Sequence, residues 1–190
     1  MVVPASPRYS RRRGSGFFTP RSAYCPCSSV ATPVFGTRNW DEVFADLGLR
    51  LPADYVAFVE RYGSCQFARW LGINDERMLT PEQCALASLS MDHYRDLRED
   101  SPEGFTLAMW PEPEGFYPWG STIDGDYLGW MTVGAPEEWP VMLILHGDQE
   151  IEFSETMTEW LVGWASGTRY DSSGFASGAE GHPLICEPWA

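Results

Sequence analysis

Lysine is absent from the 190 residues, so all formal positive charge rests on 13 arginines, against 27 acidic residues. The longest unbroken apolar run is Val141-Met142-Leu143-Ile144-Leu145, far short of the roughly 20 residues that span a bilayer. There is no P-loop, no dinucleotide-binding glycine fingerprint and no Gly-x-Ser-x-Gly elbow. Gly14-Ser15-Gly16 lies in a stretch with no strand before it. No repeat occurs at a solenoid period. The five cysteines are odd in number and irregularly spaced, which excludes a disulfide framework and points to reduced, cytoplasmic thiols. Cys25-x-Cys27 is too tight for a zinc knuckle. With His93, His146 and His182 scattered, no metal site and no cofactor are expected.

What is present is enough for one domain. Hydrophobic residues make up 44% and aromatics 14%, with nine Trp, so a sizeable core is available and wholesale disorder is excluded. The charge is divided unevenly. Residues 1–38 hold six Arg and no acid, whereas residues 39–190 hold seven Arg and all 27 acids, a formal charge of −20. Such a body repels phosphate backbones, which excludes direct nucleic-acid binding by residues 39–190. It attracts basic surfaces and speeds encounter with them; the same charge also serves solubility.

Fourteen of the first 38 residues are Pro, Gly or Ser. Arg11-Arg12-Arg13 has no apolar segment after it, so it is not an export signal. Residues 1–38 read as a disordered basic extension, or as the product of a start placed too far upstream. A basic arm that contacts nucleic acid or membrane is the alternative.

From Asn39 the helix signals are clear. Asn39 caps a helix with Glu42 at N3, and Trp40, Val43, Phe44 and Leu47 share a face up to Gly48. Leu51-Pro52 opens a second helix, with Tyr55, Phe58, Val59 and Tyr62 on one stripe and Gly63 as its stop. A third is predicted from Thr80 to about Leu97, with Pro81 at N1 and Gln83 at N3. Strands are predicted over Phe105–Trp110, Phe116–Ile123 and Tyr127–Val133, the latter two joined at Asp124-Gly125-Asp126. Trp139–Leu145 reads as a central strand and Gln149–Phe153 as a half-exposed one. A last helix opens at Thr156 with Glu159 at N3, buries Met157, Trp160, Leu161 and Trp164, and stops at Gly167. Residues 168–190 form a C-terminal segment partly packed on the domain. Helices, then strands, then a helix make an α+β domain with a largely antiparallel sheet.

Three groups can carry chemistry. Asp124 and Asp126, with Glu137 and Glu138 nearby, can hold a divalent cation, although Asp-Gly-Asp is also ordinary turn chemistry. His146 beside Asp148 can form an acid–base pair or sit in a solvated loop. Trp119, Trp130 and Trp139 fit between sheet and helices, or stand at a binding face as anchors. None of the three demands catalysis.

Trp40, the step Leu51-Pro52, Tyr55 and Gly63 resemble the opening of the SUKH superfamily, the cell-wall-assembly-regulator-like domains. Phe116 to Trp130 resembles its aromatic/Pro-Trp-Gly, acidic-Gly-Asp, Trp signature through Trp119, Gly120, Gly125, Asp126 and Trp130. Trp139-Pro140 and the helix carrying Trp160 match its later strand and closing helix. The likeness covers about residues 39–167. It implies an α+β domain without a catalytic centre, and a protein that binds and neutralises a polymorphic toxin by occlusion. A nuclease toxin with a basic surface suits the −20 body. The alternative is a regulatory or scaffold module with an endogenous partner. Glu112, Glu114, Asp124, Asp126, Glu137 and Glu138 are the candidate acidic contacts, and Tyr127 or Trp130 a candidate aromatic anchor.

Overall fold

The computed structural model describes residues 32–86, 91–146, 149–166 and 186–189. Their core is a seven-stranded antiparallel sheet in the order β6-β5-β4-β3-β2-β1-β7. In chain order these are β1 (Cys65–Phe67), β2 (Leu71–Ile73), β3 (Phe116–Thr122), β4 (Tyr127–Met131), β5 (Val141–Ile144), β6 (Glu150–Phe153) and β7 (Cys186–Pro188). Five α-helices accompany them: α1 (Trp40–Leu47), α2 (Ala53–Tyr62), α3 (Pro81–Leu86), α4 (Asp92–Asp100) and α5 (Met157–Ala165).

The helix caps follow the sequence signals. Asn39 accepts the Glu42 N–H, and Gly48 closes α1 at φ 67°. Thr156 and Glu159 form a reciprocal capping box on α5, satisfying two otherwise orphaned backbone donors. A distant residue satisfies a third backbone donor there. Asp54, in the first turn of α2, accepts from the N–H (2.9 Å) and hydroxyl (3.1 Å) of Thr158. Asp54→Ala is therefore expected to lower stability by about 1–2 kcal/mol, read from the denaturant midpoint.

Both faces of the sheet are covered, which explains why β5 is an unbroken apolar run. On one face, Val43, Tyr55, Val59, Met157, Trp160 and Trp164 pack against Leu71, Ile73, Trp119, Leu128, Trp130, Val141 and Leu143. Six tryptophans run through this layer in continuous ring contact, from Trp139 through Trp130, Trp119, Trp160 and Trp164 to Trp70. On the other face, Met91, Tyr94, Phe105 and Met109 cover Phe116, Met142 and Ile144. The alternation of β4 and β5 sends each side chain to its own layer.

Three predictions differ from the structure, and one hairpin carries no signal in the sequence. The helix expected from Thr80 to Leu97 is two helices, α3 and α4. The first packs on α1 and the second lays Tyr94 on the far face of the sheet, and one straight helix cannot serve both. Phe105–Trp110 forms no strand beyond one bridge from Met109 to Phe116; its apolar side chains roof the sheet instead. Val141–Ile144 is not central, because β6 alone lies beyond it, and β3 occupies the middle. The hairpin of β1 and β2 was not anticipated. Its turn residues Ala68 and Arg69 adopt φ of 53° and 56° without the Asn-Gly or Asp-Gly pair that marks such turns.

The ends of the domain also shift. Val34–Arg38 belong to the fold: Val34 bridges Ser64, the Gly36 N–H donates to Asp75 (2.9 Å), and Arg38 pairs with Asp46. Gly63 is required there, since a Cβ would stand 2.1 Å from the Val34 carbonyl oxygen. At the other terminus, β7 pairs with β1 as an edge strand. Residues 1–31, with Arg11 to Arg13, Cys25 and Cys27, lie outside the described residues, as do Leu89, Gly147, Asp148, 167–185 and His182.

Candidate functional site

Strand register sorts the candidate residues onto two opposite ends of the sheet. At one end are the turns between β1 and β2, β3 and β4, and β5 and β6, carrying Arg69, Asp124 and His146. At the other are the segment that enters β3, with Glu112 and Glu114, and the connection from β4 to β5, with Glu137 and Glu138. Phe116 pairs with Met131 at this second end, and Thr132 donates from both N–H (3.2 Å) and hydroxyl (2.9 Å) to the Gly115 carbonyl. Asp124 and Asp126 are thus separated by the length of β4 from the four glutamates, and no single face holds all six acids.

The turn end is built around Asp126. Its side chain accepts from the Thr122 hydroxyl at 2.7 Å and from the His146 N–H at 3.0 Å, and it is 7% exposed. Both carboxylate oxygens are used to tie the β3–β4 hairpin to the end of β5. Asp124 accepts from the Trp70 indole N–H at 2.6 Å. The Asp-Gly-Asp carboxylates therefore have structural partners of the kind turn chemistry supplies. Gly125 takes φ 91°, and a Cβ there would meet His146 Nδ1 at 3.1 Å. Tyr127 is half-buried. Trp130, at 1% exposure, lies in the core against Tyr55 and Trp119 and presents no surface to a partner. Trp119 and Trp139 are buried too.

At the loop end the glutamates differ among themselves. Glu112 is bound by Arg98 at 2.8 and 2.9 Å, and this guanidinium holds its carboxyl below the usual range. Glu114, Glu137 and Glu138 are exposed, and no salt bridge reaches them among the described residues.

A second acidic pair went unnoticed in the sequence. Asp75 and Glu76 open the 3-10 turn after β2 and are 1% and 5% exposed. Asp75 receives Arg77 through its backbone N–H, Nε and Nη2, at 2.7 to 3.0 Å. Arg77 also stacks over Trp40 at 5.2 Å and donates to the Val59 carbonyl. Glu76 accepts from the Tyr117 hydroxyl, and burial raises its pKa to about 7 against that bond, with Asp75 adding to the rise. The Tyr55 hydroxyl donates to the Asn74 carbonyl at 2.7 Å and accepts from the Glu76 N–H. The one signal for burial was the position of Asn74-Asp75-Glu76-Arg77, directly after the apolar Leu71-Gly72-Ile73.

The fold and this arrangement define an α+β domain with acidic residues at both ends of a seven-stranded sheet. The chain matches the family model SUKH_6, described as SMI1-KNR4 cell-wall, over residues 38–161, and it belongs to that family. Trp40 stacks on Phe44, Leu51, Tyr55, Trp119, Trp130 and Trp160 are buried, and Pro52, Gly63, Gly125 and Pro140 sit at element boundaries. Gly120 lies in β3 beside a register shift that starts at Pro118. No curated protein matches and no solved structure matches. Family membership is consistent with an immunity-type or regulatory role exercised on a protein partner. No helix among the described residues is long and apolar enough to cross a membrane.

Proposed function

We propose that this chain is a non-catalytic binding protein that captures a basic protein partner and blocks its working face, as an immunity protein neutralises a toxin. A nuclease toxin, whose phosphate-binding surface is cationic, is the partner that the charge favours, and the cytoplasm of the producing cell is the place of action. The distribution of the arginines carries this reading. Arg38, Arg69, Arg77, Arg95 and Arg98 pair with carboxylates of the same chain, and Arg50 and Arg61 lie over Phe44 and Tyr62. Every described cation is engaged internally, so Glu114, Glu137 and Glu138 keep an uncompensated field. Such a field accelerates encounter with a cationic surface.

The test is a pull-down at low salt with the tagged full chain, beside the same chain carrying Glu137→Lys and Glu138→Lys. One basic, toxin-like protein that elutes as salt rises is expected. The reversed pair should slow its association by roughly tenfold and weaken the salt dependence. An unchanged association rate removes this face. Recovery of housekeeping proteins instead turns the reading toward a regulatory module.

A further inference from the structure

β6 is the outermost strand on one side of the sheet, and its residues Glu150-Ile151-Glu152-Phe153 alternate acid with apolar. The phase of the ladder decides which way its backbone points. The Met131 N–H donates to the Pro140 carbonyl (3.2 Å), and the Leu145 N–H to the Gln149 carbonyl (2.9 Å). Bonded and non-bonded pairs alternate along an antiparallel ladder. Met142 and Ile144 of β5 therefore bond to β4, whereas Val141 and Leu143 bond to Phe153 and Ile151 of β6. Glu150 and Glu152 stand in the non-bonded pairs, opposite Ile144 and Met142, so their N–H and C=O groups point away from the sheet. No described strand lies beyond them.

An edge of this kind is a template for another strand. The opposite edge is blunted. The Trp189 N–H donates to the Ser64 carbonyl (3.0 Å), and the same alternation turns Pro188 of β7 outward, where it has no N–H to offer. A second copy of β6 does not suit the open edge. Pairing about Ile151 sets Glu150 opposite Glu152, and pairing about Glu152 sets it opposite itself; like charges directly opposite are destabilising. Cations at those positions reverse the sign. Glu152 is exposed, and no salt bridge reaches it among the described residues. Glu150 is held by the hydroxyls of Tyr94 and Thr106, neutral donors that leave its charge uncompensated. No arginine occurs between Arg98 and Arg169, so β3 to β6 and α5 bring none of their own. Ile151 and Phe153, half-buried on the other face of the strand, offer apolar contacts at the intervening positions.

We infer that the outer edge of β6 receives an extended segment of the basic partner as a further antiparallel strand, with arginine or lysine opposite Glu152 and apolar side chains beside Ile151 and Phe153. Main-chain bonds supply the affinity and the alternation supplies the selection. The inference rests on the reading of this chain as a binder of basic proteins, and it adds the backbone mode by which one is held.

The test needs no cognate partner. The probe is a capped heptapeptide in which two arginines alternate with three valines between terminal threonines. Titrated into the ¹⁵N-labelled full chain, it should give saturable amide shifts along β6 and slow hydrogen exchange of the Glu152 amide about fivefold. The same peptide N-methylated at both arginines keeps the charge but lacks the two donors that face β6, and it should do neither. Glu152→Lys, an exposed change, should weaken the unmodified peptide about tenfold. No binding, equal binding of the N-methylated peptide, or binding that leaves Glu152 exchange unchanged would each overturn the edge. A Glu152 amide already protected in the free chain would also overturn it, giving the edge to the chain's own residues if sedimentation shows a monomer and to a second copy if it shows a dimer. If the edge fails while the full-chain pull-down still depends on Glu137 and Glu138, the binding reading stands and only the strand docking is lost.

Discussion

Replacing Glu76 with glutamine is expected to remove most of one component of the pH dependence of stability, the part that declines between about pH 4 and pH 7. The carboxyl is buried between Tyr55 and Tyr117, beside the charge of Asp75, and titrates in the folded state near 7, against about 4.3 in an unfolded chain. Across that interval the folded state holds a proton that the unfolded state has released. Stability therefore falls as pH rises through the window and levels off above it. The linkage amounts to something on the order of 3 kcal/mol. Glutamine carries no charge to bury, and its carbonyl can still accept from Tyr117. The variant should match or trail the wild type at pH 5 and exceed it at pH 8, in urea unfolding of both proteins at each pH. Glu112 acts in the opposite sense, because Arg98 favours its ionised form and that contribution is lost on acidification. Comparing the two chains at each pH leaves the Glu112 contribution common to both. Parallel stability curves for wild type and Glu76→Gln would show that Glu76 does not titrate in this range.

Asp75→Ala is expected to be the most damaging single change at the same place, costing about 3–5 kcal/mol. The carboxylate joins three parts of the chain: the Gly36 N–H, the 3-10 turn itself, and Arg77, which reaches on to Val59 and Trp40. Its removal leaves a guanidinium whose side chain is 13% exposed without its counter-charge, and a part-buried N–H without its acceptor. Such truncations cost the desolvation of the survivors as well as the lost bonds. Removing Arg77 together with Asp75, as Asp75→Ala with Arg77→Met, should recover part of the loss, since no charge is then stranded. Thermal unfolding of the two variants decides this. A double variant no more stable than Asp75→Ala would mean that the bond to Gly36, rather than the ion pair, carries the effect.

Elements whose signals are local were legible in the sequence. The caps of α1 and α5 rest on side chains three residues from their targets, and the buried stripe Met157, Trp160, Leu161 and Trp164 follows from helical spacing alone. The hairpin at Asp124-Gly125 was readable because its turn needs residues that tolerate positive φ. Where turn chemistry was missing, as at Ala68 and Arg69, the hairpin was invisible. Its strands are only three residues long and are held by pairing with β3 and β7. The same holds for Phe105–Trp110, whose composition suits a strand but whose role is to roof one.

Among the candidate contacts, residue type predicted acidity and the fold decided availability. Glu112 and Glu114 are two residues apart, yet Arg98 folds back onto the first and leaves the second exposed. Trp130 is an aromatic on a strand, and only the helices packed above it show that it faces inward. Asp75 and Glu76 look like a solvated acidic turn until α1, α2 and β3 close around them.

The sequence by itself determined the α+β class, the helix boundaries set by local caps, the acidic character of the surface and membership of the SUKH family. Those follow from periodicity, charge and short motifs, which act within a few residues. The tertiary structure alone decided which carboxylates are buried, paired or open, and that the candidate acids lie at opposite ends of the sheet. It alone placed β6 at the edge of the sheet. Burial and juxtaposition depend on which distant segments meet, and residues such as Tyr94 and Ile144 come together only once the strands are in register.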